Sequence, residues 1–180
     1  MWEITATLLR TSHALETQLE GVLRPLDAGF TDLRLMAIVF VRAGSSQKLL
    51  AQRSGLSETI VSVRLARLER LGWVTRTHRG HRLVAVELTP EGVRQLNSLM
   101  EAVDQSAPMT VLSRMDPQER RSVLDSLRTV VARLASETRG VGDSTAHDPV
   151  YRVAEELAYL SEAFMALRGA SGGVAAEDHG

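Results

Sequence analysis

Between Ser57 and Gly92 the apolar periodicity changes twice, and that limits the chain to few folds. Val61, Leu65 and Leu68 recur at three- and four-residue steps, the spacing of one face of an α-helix. Gly72 follows as the left-handed residue at which helices commonly stop. Trp73–Val74–Thr75–Arg76 and Arg82–Leu83–Val84–Ala85–Val86–Glu87–Leu88 read as two strands, with a polar, glycine-containing segment, Thr77 to His81, between them. Thr89–Pro90–Glu91–Gly92 is a helix start, with a capping hydroxyl and a proline at the first helical position. A capped helix, a β-hairpin and a second capped helix therefore follow one another directly.

The flanking segments are helical. Residues 3–24 carry Ile4, Leu8, Leu9, Leu15, Leu19, Val22 and Leu23 at helical spacing, and Pro25 with Asp27–Ala28–Gly29 ends the run. Thr31 is the expected cap of the next helix, with Asp32 in its first turn. Leu33, Met36, Ala37, Val39, Phe40 and Val41 make that helix almost wholly apolar, hence buried. Gly44–Ser45–Ser46 caps a short helix at about residues 47–53. Ser54–Gly55–Leu56 is a tight turn with glycine at its left-handed position, and Ser57 caps the helix that runs to Gly72.

Beyond Gly92, Leu96, Leu99, Met100 and Val103 form a stripe on a long helix that Pro108 bends or breaks. Asp116–Pro117–Gln118–Glu119 opens another, continued by Val123, Leu127, Val130, Val131 and Leu134. Residues 137–148 read as a polar, Gly-containing linker. Residues 149–168 read as an extra amphipathic helix with Val150, Val153, Leu157, Leu160, Phe164 and Leu167 on its apolar stripe, and 169–180 as a disordered Gly/Ala tail. The fold class is mainly α with a small β-hairpin wing.

Composition narrows the chemistry. The 180 residues include no cysteine, which removes disulfides, thiolate zinc sites and thiol redox sensing. No apolar run is long enough to span a bilayer, and Glu3, Arg10 and Glu16 interrupt any secretory-type stretch, so a cytoplasmic protein is expected. The net charge of −1 hides an asymmetry. Residues 45–92 hold eight basic residues against four acids, whereas 137–180 hold three against eight. A basic middle in a neutral chain suits a polyanion.

Short helix, glycine turn, capped helix and hairpin is the order of a winged helix-turn-helix. With Val61, Leu65 and Leu68 turned inward, Thr59, Ser62, Val63, Ala66, Arg67 and Arg70 lie on or beside the opposite face. Small residues there let a helix enter a DNA major groove. Ser57, Thr59 and Ser62 offer hydroxyls, Val63 an apolar contact for a thymine methyl, and Arg67 a guanidinium for guanine or phosphate. Arg64 flanks the helix within reach of a phosphate. Arg76, Arg79 and Arg82, with His78 and His81, make the hairpin basic and suit it to a minor groove.

Leu50-Ala51, Gly55-Leu56-Ser57, Val61-Ser62, Arg67-Leu68-Glu69-Arg70-Leu71-Gly72-Trp73-Val74 and Leu88-Thr89-Pro90-Glu91-Gly92 together resemble the MarR family of transcriptional regulators over about residues 1–136. Arg82 matches the arginine of that family's wing, whereas Gly80 stands where its aspartate is usual. Val63 and Ala66 stand where arginine and aspartate are common. The resemblance implies a homodimer with residues 1–30 and 93–136 as dimerisation helices and 31–92 as the DNA-binding lobe. It implies double-stranded DNA with a pseudo-palindromic operator as partner, and repression relieved by a small, often phenolic or aromatic effector bound between the dimer helices and the lobe. Arg10 and His13, one turn apart, are candidates to meet an anionic effector.

Other readings are weaker. His78-x-x-His81 has no local cysteine or carboxylate to complete a metal site. Ser45-x-x-Lys48 fits a serine–lysine hydrolase pattern but lacks its companion motifs, and the serines serve as caps. No nucleophile–base pair, phosphate loop or cofactor motif is present, so neither an enzyme nor a bound cofactor is expected. The competing classes are a ligand-independent activator or architectural DNA binder, and a winged helix used for protein contacts.

Overall fold

Helix α2 (Phe30–Val41) has almost no polar side, and the other elements are arranged around it. Leu33, Leu35, Met36, Ala37, Ile38 and Val39 are all buried. The computed structural model describes residues 2–79, 83–138, 163, 165 and 166. The chain starts with α1 (Trp2–Leu23) and a single 3-10 turn, Arg24–Leu26. After α2 come β1 (Ser45–Ser46), α3 (Gln47–Ser54), α4 (Glu58–Arg70), β2 (Val74–Arg79) and β3 (Leu83–Leu88). Then follow α5 (Pro90–Asp104), α6 (Ala107–Arg114) and α7 (Pro117–Thr138). Leu50 of α3, Val61, Leu65 and Leu68 of α4, Val74 and Val86 of the sheet, and Leu96 and Leu99 of α5 join α2 in one core. Each such aliphatic side chain contributes about 1.5–3 kcal/mol on leaving water.

Helix α2 starts one residue after Gly29, not after Thr31 as the sequence suggests. Asp32 accepts the Gly29 N–H at 3.0 Å, and Glu20 Oε1, from α1, accepts the Phe30 N–H at 2.9 Å. Two carboxylates at a helix N-terminus satisfy its free N–H groups and favour its dipole. One of them comes from ten residues upstream, so no local motif announces it. The preceding Asp27 has φ 55° and closes the turn with its N–H on Arg24 O.

The sheet has three strands in the order β1-β3-β2, so the expected two-stranded hairpin gains a third strand. Ser45 pairs with Val86 and Ser46 with Ala85, while β2 pairs with β3 from Val74↔Leu88 to Arg79↔Leu83. Strand β2 therefore continues through Thr77, His78 and Arg79, where a loop was expected. Ser46 serves twice, as the end of β1 and as the cap of α3, accepting the Leu49 N–H at 3.2 Å.

The end of α4 and the start of α5 interlock. The N–H of Gly72 (φ 73°) donates to Glu69 O and that of Trp73 to Leu68 O, the pair of bonds that closes a helix at a left-handed residue. Thr89 caps α5 by accepting the Gly92 N–H at 2.9 Å and donates its own hydroxyl to Gly72 O at 2.5 Å. The Thr89 N–H donates to Trp73 O at 3.0 Å. A Cβ on Gly92 would lie 1.8 Å from that same carbonyl oxygen.

Pro108 breaks the helix: α5 ends at Asp104, and Pro108 lies in the first turn of α6. Asp116 caps α7 through Gln118 N–H at 2.7 Å. The helix reaches Thr138, past the expected start of a linker at 137. Of the expected helix 149–168, Ala163, Met165 and Ala166 are described; they are helical, and Ala163 is buried in the main core. The rest of 139–180 lies outside the described residues.

Replacing Gly92 by Ala is expected to lower stability by about 1–3 kcal/mol, because the methyl meets the Trp73 carbonyl, which the Thr89 N–H holds in place. Thermal unfolding of the two proteins measures it. Equal melting temperatures would mean that the turn opens at no cost.

Candidate nucleic-acid interface

Helix α4 is oriented by its apolar side. Val61, Leu65 and Leu68 are fully buried, and Ser57 caps the start by accepting the Ile60 N–H at 3.3 Å. At about 100° per residue, the direction opposite those three is occupied by Thr59, Val63, Ala66 and Arg70. All four are exposed, Val63 to 65%. Ser57 is exposed before them, and Ser62 is half-buried on one edge. Helix α3 and the Gly55 turn (φ 67°) precede α4 in helix-turn-helix order. Arg34 of α2 holds this arrangement from behind, donating to Ser54 O at 2.6 Å at the end of α3.

Both flanks of α4 are fastened by arginine–carboxylate contacts. Arg67 donates to Asp32 Oδ2 at 3.1 Å, to Asp27 Oδ1 at 2.9 Å and to the Asp27 carbonyl at 2.6 Å. Arg64 approaches the same Asp32 oxygen at 3.5 Å. Asp32 is 1% exposed, so its charge is balanced by these two guanidinium groups and the Gly29 N–H. Asp27, at φ 55°, accepts through both its main-chain carbonyl and its Oδ1. On the other flank Arg76 of β2 donates to Glu69 through Nε at 2.8 Å and through a second guanidinium nitrogen. That contact holds the Glu69 carboxyl below the usual glutamate range.

The sequence-selected residues thus divide. Ser57, Thr59, Val63 and Arg70 face outward together, with Ser62 at their edge. Arg64, Arg67 and Arg76 lie beside that face with their guanidinium groups turned to Asp32, Asp27 and Glu69. For Arg67 this departs from the outward reach expected of it: its stem leaves α4 on a flank, and its length carries the head back to the α1–α2 junction. The backbone of Arg79 ends β2; its side chain, that of His78, and all of Gly80, His81 and Arg82 lie outside the described residues.

A cavity of about 570 Å³ opens between Thr17, Glu20 and Gly21 of α1, the Arg24–Gly29 turn, Asp32, and Arg64 and Arg67 of α4. Arg10 and His13 are exposed on α1 and do not line it; the His13 carbonyl accepts the Thr17 hydroxyl at 2.8 Å. The acids that line the cavity, Glu20, Asp27 and Asp32, form no spaced motif that sequence reasoning could select. Among the described residues no group of three or more His, Asp or Glu gathers as a metal site, and no helix is long and apolar enough to cross a membrane.

Residues 31–75 match the model of the winged helix-turn-helix DNA-binding family. Among solved structures, a MarR family transcriptional regulator from Rhodococcus sp. RHA1 superposes with a TM-score of 0.64 at 20% identity, over 71% of this chain and 91% of that one. The fold is that of the MarR family. Apo MarR from E. coli aligns over 70% of this chain and 95% of its own, at 20% identity and a TM-score of 0.61. A Mycobacterium tuberculosis MarR family protein in complex with p-aminosalicylic acid aligns over 70% and 96%, at 21% identity and 0.58. No curated protein sequence matches the chain significantly.

The Arg76–Glu69 contact has a pH signature. A carboxyl with a depressed folded-state pKa contributes stability above its unfolded-state pKa and loses it as pH falls through the folded value. Glu69→Gln is therefore expected to melt below wild type at neutral pH, with the gap closing as the pH is lowered past the ordinary glutamate range. A gap of constant size down to strong acid would show that the charge contributes nothing.

Proposed function

We propose that this chain is a cytoplasmic DNA-binding transcriptional regulator of the MarR type, acting as a homodimer on a pseudo-palindromic operator. The observation that carries the reading is the outward face of α4, with small and hydroxyl side chains flanked by arginines on a helix-turn-helix whose inner face is sealed in the core. A helix of that description fits a major groove, and the basic hairpin beside it suits the adjoining backbone.

Dimerisation is supported by apolar side chains left in water. Trp2, Ile4, Leu9 and Leu15 of α1, Val111 and Leu112 of α6, and Val123, Leu124, Leu127 and Val130 of α7 are all exposed in the single chain. Exposed apolar side chains on three terminal helices, those of α7 along one face for two turns, call for a second copy. Repression relieved by a small effector is supported by the cavity between α1 and α4, since a molecule there touches both a dimer helix and the recognition helix. The p-aminosalicylic acid complex of the mycobacterial protein supports an aromatic effector of similar size.

Fluorescence anisotropy on DNA from upstream of the protein's own gene and on random DNA, across a salt series, tests the reading. Tight and salt-steep binding with a preference for the upstream DNA is expected. Arg70→Ala is expected to lower the salt slope by about one per protomer, as loss of one phosphate contact does. No DNA binding at low salt would leave the winged helix as a protein-contact module. Sedimentation is expected to give twice the chain mass, and Leu9→Arg is expected to shift it toward the monomer. A wild-type monomer at micromolar concentration would remove the dimer.

A further inference from the structure

The side chains that read bases can be narrowed from the pairing of the arginines. Three arginines border the outward face of α4, and each is occupied: Arg64 and Arg67 on Asp32 and Asp27, Arg76 on Glu69. Taking Arg67 for a guanine would strip three hydrogen bonds from it and leave the buried Asp32 with less compensation. Among the described residues, Arg70 is the one arginine of α4 with no ion pair, and it stands at the helix end. A residue there meets the backbone as the helix leaves the groove.

What remains in the middle of the face is Thr59, Val63 and Ala66. Val63 is the most exposed of the large apolar side chains of α4, and burying an exposed isopropyl group against another apolar group is favourable. The base edge that offers such a group in the major groove is the 5-methyl of thymine. Resting on the DNA-binding reading above, we infer that Val63 is the specificity-determining residue of α4 and that it recognises a thymine methyl in each half-site. The helix arginines act as struts and phosphate contacts, not as guanine readers. Thr59, one turn before Val63, serves the neighbouring base edge or phosphate through its hydroxyl.

The test uses full-length protein and a duplex enriched by it from a random-sequence pool. Each thymine of that duplex is replaced in turn by deoxyuridine, which keeps base pairing and removes the methyl alone. One position in each half-site is expected to lose about fourfold in affinity, the effect of one buried methyl group. Val63→Ala is expected to weaken binding to the thymine duplex and to abolish the penalty at that position, with the salt slope unchanged. Because Val63 is exposed, the variant should melt with wild type, which separates loss of contact from loss of fold. A selected site with no uracil-sensitive position overturns the inference. So does a site centred on guanine whose 7-deaza replacement costs wild type but not Arg67→Ala; either outcome leaves the DNA-binding reading standing. Failure of the pool to enrich at any salt concentration overturns that reading itself, and the inference with it.

Discussion

The carbonyl oxygen of Trp73 sets how the DNA-facing lobe joins the rest of the molecule. It follows the left-handed Gly72 that ends α4, it accepts the Thr89 N–H that precedes α5, and it leaves no room for a side chain at Gly92. A helix, a hairpin and a second helix meet there without an intervening linker. The end of the recognition helix, the base of the wing and the start of the long helix α5 are thereby a single rigid joint. The start of α5 is thus tied to the wing by the Thr89 N–H on Trp73 O and to the end of α4 by the Thr89 hydroxyl on Gly72 O.

Around that joint, charge does the work that the small sheet cannot. Helix α4 makes its apolar contacts on one side only, and a helix so held can roll. The Asp32 and Asp27 contacts stop the roll on one edge and Glu69 stops it on the other. The first of these contacts also ties α4 to the turn below α1, the same turn that borders the cavity. Occupation of that cavity and the angle of the recognition helix therefore depend on the same few atoms. This is the physical form that coupling between an effector and DNA takes in the proposed regulator.

Much of this was legible in the residues, and what was not has a common cause. Gly55 and Gly72 announce their turns because few other residues adopt a positive φ, and Thr89–Pro90 announces α5 because a hydroxyl and a missing N–H are both local. The burial of α2 follows from its having no polar stripe. The start of α2 was misread because one of its caps, Glu20, arrives from the preceding helix. Strand β1 was missed because two serines that already explain a helix cap carry no strand pattern of their own. Arg67 was directed outward because a helical wheel gives the direction of a Cβ, whereas a guanidinium some four bonds further out goes where its carboxylates are. Those carboxylates stand 35 and 40 residues earlier in the chain. Local chemistry was readable; partnerships across long sequence separations were not.

The division of labour on α4 bears on how such a protein changes over time. The residues that hold the helix in place, Leu65, Leu68, Arg67 and Glu69 among them, each have a partner that must change with them. Thr59, Val63 and Ala66 have none, and exposed substitutions of that sort usually alter stability by less than about half a kcal/mol. Target preference is thus carried by positions that folding does not police. A gene duplicate could drift to a new operator through them one substitution at a time, each intermediate as stable as its parent, while the scaffold beneath remained under constraint.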